Sequence, residues 1–262
     1  MKRFALPTAL LLAAGAIAAQ QFRYEDRSKN MVILAQSGRG DQLTTGNLRL
    51  DLRGNVSLRS TSQGTSLAAG RVVCDTASAP GGKSELQTAT ATGAVRLVKT
   101  VMSGTAKGQQ TNIASTRADY RRGTAADEVR LAGPVTIRNV GVPTAGRGRQ
   151  TLVATGASGR AQLEPGATTK RNSGLRTATL SGPVRVTVVE AAQGTKKGST
   201  VVATGNQMLL DYTKVNPTVT LIGNVRIEGQ GDSSVGTASG LSRAVLRLNQ
   251  NNELLGFNTE AG

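Results

Sequence analysis

A five-residue phrase, Gly-x-Val-x-[Val/Ile/Leu], constrains this chain more than any other feature. It reads GNVSL from Gly54, GAVRL from Gly93, GPVTI from Gly133, GPVRV from Gly182 and GNVRI from Gly223, at separations of 39, 40, 49 and 41 residues. A period of this size marks one supersecondary unit stacked on copies of itself, so the chain reads as about five repeats of about 40 residues. Within each phrase the apolar residues alternate with polar ones, as a half-buried strand requires. Val56 and Leu58, Val95 and Leu97, Val135 and Ile137, Val184 and Val186, and Val225 and Ile227 fall on one face. Arg59, Arg96, Arg138, Arg185 and Arg226 fall on the other.

A second strand in each period opens on small residues and ends on an apolar segment, as in LAAGRVVCD around Ala68, IASTRADY around Ala114 and VATGNQMLLDY around Ala203. Clusters of Gly, Ser, Thr, Asn and Lys separate the strands and have loop composition. No segment shows the helical period that a parallel crossover needs, so an antiparallel all-β zigzag is expected. Apolar residues also precede each phrase glycine, such as Val219 and Leu221 before Gly223, so each strand runs through its glycine. A straight strand of about 12 to 14 residues would span roughly 40 to 46 Å. Glycine inside a strand marks a bulge or sharp bend, and a bend at the same place in every repeat folds the sheet into a trough with the branched residues inside.

Composition narrows the function. The chain has 32 Lys and Arg against 16 Asp and Glu, and no His. Such an excess of positive charge attracts polyanions. Aromatics are only 2% of the residues, too few for base-stacking platforms, so nucleic acid is not the expected partner. Without histidine, the commonest zinc ligand and general base are both missing, and no metal or cofactor is expected. Asp119, Asp127 and Glu128 lie close in sequence but lack the strained turn and supporting third group of a catalytic site. The single thiol, Cys74, cannot form an internal disulfide and reads as a small core residue. Lys2 and Arg3, the apolar run from Phe4 to Ile17 and the small residues Ala16 and Ala18 read as a secretory signal over 1–18, followed by a β domain over 19–262. Left uncleaved, that segment would serve as an anchor. The 49-residue interval between Gly133 and Gly182 admits a junction of two fused modules near 140–175.

The signal, the tandem GNV-type phrases and the ATG or ASG segments that end in apolar-Asp-Tyr resemble the OstA-like (LptA) family of lipopolysaccharide transport proteins. VATGNQMLLDY followed by VTLIGNVRIEGQGD carries the resemblance best, from Val201 to Leu246, and the stretch around Ala114 to Arg138 also shows it. The resemblance implies a partly open jelly roll of bent antiparallel strands in the periplasm. It also implies partnership with lipopolysaccharide or another envelope glycolipid, with related jelly-roll domains of inner- and outer-membrane transport proteins, and with further copies of the chain end to end. By matching the phrases, the groove would comprise Val56, Leu58, Val95, Leu97, Val135, Ile137, Val184, Val186, Val225 and Ile227, with no catalytic residue. Greater length, long Gly-rich loops and a more basic charge set this chain apart from the family pattern.

Two readings stay open on the residues alone. The aliphatic interior suits acyl chains, yet an ordinary dry core would use the same residues. The five arginines suit anionic headgroups or polymer, yet solvated arginines also protect a sheet surface from aggregation. A secreted lipid carrier is therefore set beside an exported structural β-solenoid that self-assembles and binds anionic envelope polymer.

Overall fold

The computed structural model describes residues 21–26, 31–44, 47–62, 64–79, 83–102, 107–143, 148–163, 175–195, 197–213, 216–231, 233, 235–249 and 254–261. The expected signal segment 1–18 lies outside them, as does part of the expected junction near 140–175. Among the described residues sixteen strands follow one another: β1 (Phe22–Asp26), β2 (Met31–Ala35), β3 (Ser37–Thr44), β4 (Asn47–Ser60), β5 (Thr65–Ala79), β6 (Lys83–Thr100), β7 (Gln110–Arg121) and β8 (Asp127–Ala132). Then come β9 (Val135–Val140), β10 (Gln150–Gly156), β11 (Ser158–Leu163), β12 (Leu175–Glu190), β13 (Ser199–Asp211), β14 (Thr218–Gly231), β15 (Ala238–Leu248) and β16 (Leu254–Ala261). All belong to one antiparallel sheet, as the loop composition and strict alternation predict.

Every phrase glycine is a bend. Gly54, Gly93, Gly133, Gly182 and Gly223 have φ of 72°, 78°, 78°, 90° and 76°. The ladder skips two residues at Arg53/Val56, Thr92/Val95, Ser181/Val184 and Ile222/Val225. At the third phrase the interruption separates β8 from β9. Two local chemistries achieve the turn. Asn55, Ala94 and Asn224 follow their glycine with φ of 48°, 52° and 49°, the doubly left-handed pattern of a type I′ turn. Pro134 and Pro183, whose ring holds φ near −65°, instead follow glycine as in a type II′ turn. Ala94 bears this conformation without the side-chain hydrogen bonding that helps Asn tolerate it. Ala94→Asn is therefore expected to stabilise the protein by about 0.5–1 kcal/mol, read as a higher urea midpoint; an unchanged or lower midpoint would contradict it.

The bends divide the sheet into two arms. The lead arm holds the residues before each phrase glycine, together with β3, β8, β11 and β16. The phrase arm holds the phrases themselves, with β1, β2, β9 and β10. Because β7 pairs with both β8 and β9, and β12 with both β10 and β11, these six strands close a ring of pairings around the third bend. Both arms supply each of two apolar clusters. The smaller includes Ile33, Val56 and Val95 of the phrase arm and Leu52, Val72 and Ala91 of the lead arm. The larger includes Val186, Val225 and Ile227 against Leu180, Met208, Leu221 and Leu246. Leu254 N donates to Gln150 Oε1 at 3.1 Å, tying the last strand of the lead arm to the phrase arm 104 residues away in sequence.

Candidate functional site: an open stretch between the two arms

Cross-strand neighbours trace continuous rows along the inside of the fold. The inward row nearest the bend is sealed throughout, with Val56, Val95, Val135, Val184 and Val225 between 0% and 4% exposed. The next row of the phrase arm behaves differently along its length. Leu58, Leu67, Leu97, Ile113 and Ile137 are successive neighbours and all half-buried. The same row continues into Ala154, Val186, Ala203 and Ile227, which are shut off from solvent. At the other end it runs into Ile33, also buried. The corresponding lead-arm row shows the same contrast: Cys74, Ala89, Tyr120 and Val129 are half-buried, between buried Leu50 and Ala161.

Between β4 and β9 the interior is thus sealed next to the bend and opens beyond it into an apolar trough, whereas from β10 onward it is a closed core. Residue volume contributes to the difference. In the closed part the lead arm contributes Leu180, Met208, Leu210, Leu221 and Leu246, large enough to meet the opposite arm. In the open part its half-buried inward positions include Ala89 and Ala118, which cannot span the same gap. Four strand spacings from Leu58 to Ile137 make the open row about 19 Å long.

The outer rim of the trough is polar. Thr65, Lys99, Thr111 and Asn139 form the next inward row of the phrase arm. Lys99 Nζ donates to Thr65 Oγ1 at 3.3 Å, Asn139 Nδ2 to Thr111 Oγ1 at 3.0 Å, and buried Gln109 Nε2 to Asn139 Oδ1 at 3.2 Å. Partial burial lowers the Lys99 pKa, so an anion that shared its charge there would restore what desolvation costs. On the lead arm Tyr120 donates its hydroxyl to Asp127 Oδ2 at 2.9 Å, and burial followed by this carboxylate raises the phenol pKa. Cys74 is a free thiol pushed up to about 11, mainly by burial and then by the charge of Asp75.

Of the ten phrase residues expected in a groove, Val56, Val95, Val135, Val184, Val186, Val225 and Ile227 lie in the packed interior. Leu58, Leu97 and Ile137 line the open trough. Leu67 and Ile113, which complete the row, come from the second strands, where a reading centred on the phrase did not look. Their apolar character and strand parity were the available signal. Arg59, Arg96, Arg138, Arg185 and Arg226 are all exposed, on the outer face of the phrase arm.

The acidic residues weighed for catalysis are engaged elsewhere. Asp119 accepts from Arg117 and from Thr90, and Glu128 from Arg130 and Arg160, on the outer face of the lead arm. Asp51 on that face is held well below the usual carboxylate range by hydrogen bonds from Arg71 and then Arg53. Among the described residues no group of three or more His, Cys, Asp or Glu could hold a metal ion.

These depressed carboxylates set a sign for acid stability. A carboxylate whose folded pKa lies below its unfolded value of 3.8 stabilises the fold fully above that value and loses the contribution as the pH drops through the folded one. The protein is therefore expected to lose stability steadily below about pH 4. Asp51→Asn should flatten the most acidic part of the curve of urea midpoint against pH; an unchanged slope would show that Asp51 carries none of it.

Comparison of the chain with protein-family models, with curated proteins and with solved structures finds no match.

Proposed function

We propose that the protein is a periplasmic carrier for an acylated envelope glycolipid, lipopolysaccharide or a relative of it, whose acyl chains lie in the trough between β4 and β9. The observation that carries this reading is the inward apolar row from Leu58 to Ile137, left open while its continuation from Ala154 to Ile227 is sealed. An apolar channel with a polar rim suits a ligand that is aliphatic at one end and charged at the other. Each methylene removed from water contributes about 0.8 kcal/mol, so partial burial of one medium-length chain suffices for useful affinity. Lys99 at the rim provides a cation for a phosphate or carboxylate headgroup. The bent antiparallel strands and the resemblance to OstA-like proteins support a jelly-roll reading of the same fold, with the repeats as its building units.

The sheet edges support assembly along the same axis. Among the described residues β3 is largely exposed and pairs with β4 alone, and β16 pairs with β15 alone. Unpaired edge strands are templates for another strand, whether from a second copy or from a related domain of a membrane transport protein. The test is native mass spectrometry of the full chain incubated with a lauroyl-bearing, phosphorylated glycolipid. A bound glycolipid that disappears in the Leu97→Asp/Ile113→Asp variant is expected. Absence of any complex with the unaltered chain, or equal binding by the variant, would overturn the carrier reading and favour a purely structural array.

A further inference from the structure

The outer faces of the two arms handle their arginines in opposite ways. On the lead arm most arginines near the middle of the sheet meet a carboxylate: Arg49 with Asp75, Arg71 with Asp51, Arg117 with Asp119, Arg130 with Glu128. On the phrase arm the acidic residues of the outer face, Glu25 and Glu228, stand at its two ends and pair with Arg23 and Arg226. Between them, Arg59, Arg96, Arg138 and Arg185 are exposed and have no carboxylate partner among the described residues.

Strand order makes these residues a regular strip. Across the phrase arm the strands run β1, β2, β4, β5, β6, β7, β9, β10, β12, β13, β14. An outward arginine stands on every second one, from Arg23 on β1 to Arg226 on β14. Arg23, Arg96, Arg185 and Arg226 share one cross-strand row. Arg59 and Arg138 share the neighbouring row on the same face. Two strand spacings, about 10 Å across the strands, separate successive arginines, and the six extend over about 48 Å; where the row changes, a two-residue offset of about 7 Å along the strand lengthens the step to about 12 Å. The intervening strands β5, β7 and β10 place small residues in the first row, Ala68, Ala114 and Thr155, so a ligand can approach the guanidinium groups closely.

We propose that the outer face of the phrase arm docks an extended acidic polysaccharide carrying one carboxylate per disaccharide, with successive carboxylates at Arg59, Arg96, Arg138 and Arg185. The rise of a disaccharide unit in an extended chain is close to the cross-strand advance from one arginine to the next, the long arginine side chains reach across the offset between the two rows, and guanidinium forms charge-assisted hydrogen bonds with carboxylate. Nucleic acid presents its charges far more densely, and the strip has no aromatic platform for bases. The headgroup of a lipid in the trough lies on the other side of the sheet, so this site stands whether or not the trough carries lipid.

The test titrates the full chain with hyaluronan oligosaccharides of increasing length, which have one carboxylate per disaccharide, and in parallel with phosphatidylglycerol vesicles. Affinity is expected to rise with length and level off once the strip is covered. It should fall at least tenfold in Arg96→Gln/Arg138→Gln. The Arg117→Gln/Arg130→Gln variant on the lead arm loses the same net charge and should bind as the unaltered chain does. Equal weakening by both variants would reduce the effect to net charge and overturn the proposal. Binding to vesicles without binding to the oligosaccharides would overturn it in favour of a membrane-facing surface.

Discussion

Val186→Asp is expected to unfold the protein, whereas Leu97→Asp, in the same inward row, leaves it folded. Val186 is 1% exposed, and its cross-strand neighbours Ala154 and Ala203 are equally sealed. An aspartate there must either bury a charge without a partner or take up a proton. Even after relaxation the cost is several kcal/mol, comparable with the 5–15 kcal/mol that holds a typical domain together. Leu97 sits between Leu67 and Ile113 where the row is open, so its carboxylate would reach water and the cost should be about 1–2 kcal/mol of lost apolar burial. Circular dichroism and urea titration of the two variants give the comparison. Similar loss of structure in both would mean that the interior is closed along its whole length.

Gly223→Val should cost about 3 kcal/mol or more. The residue has φ of 76°, which β-branched side chains avoid, and a Cβ at this position would meet the Asn206 side chain at 2.8 Å. Relief would require the bend to open, pulling Leu221 away from Val225 and Ile227 in the larger cluster. Gly236→Val is the matched control, because no atom lies within 4 Å of its Cβ position; it should shift stability by no more than about 0.5 kcal/mol. A small effect at Gly223 would mean that the strands do not depend on glycine to turn.

Much of this architecture can be read from residue spacing, because bends and alternation are local properties. Val95 and Arg96 point to opposite faces for reasons of strand geometry alone, and Gly93 breaks the ladder because of its own φ. The all-β, antiparallel character follows from the same signals. The open stretch does not. Leu97 and Val186 occupy the same row and similar phrases, and they differ in exposure in part because Ala89 and Ala118 stand on the lead arm in one region where Met208, Leu210 and Leu221 stand in the other. That contrast depends on which strands face each other across the bend. Counter-charges are similarly hidden: Asp51 meets Arg71 from a neighbouring strand, a pairing set by register. The membership of Arg23 in the arginine strip depends on β1 pairing with β2, which no repeat announces.

Protection of Cys74 tests the trough most directly, since this free thiol lies in its lead-arm row beside Ala89. With its pKa pushed up to about 11, alkylation by a small maleimide at pH 9 proceeds through a minor thiolate fraction and is slow enough to time. Saturating lauric acid should slow the reaction more than tenfold in the unaltered chain and leave it unaffected in Leu97→Asp/Ile113→Asp. A rate unchanged by lauric acid in the unaltered chain would contradict an acyl-binding trough between β4 and β9.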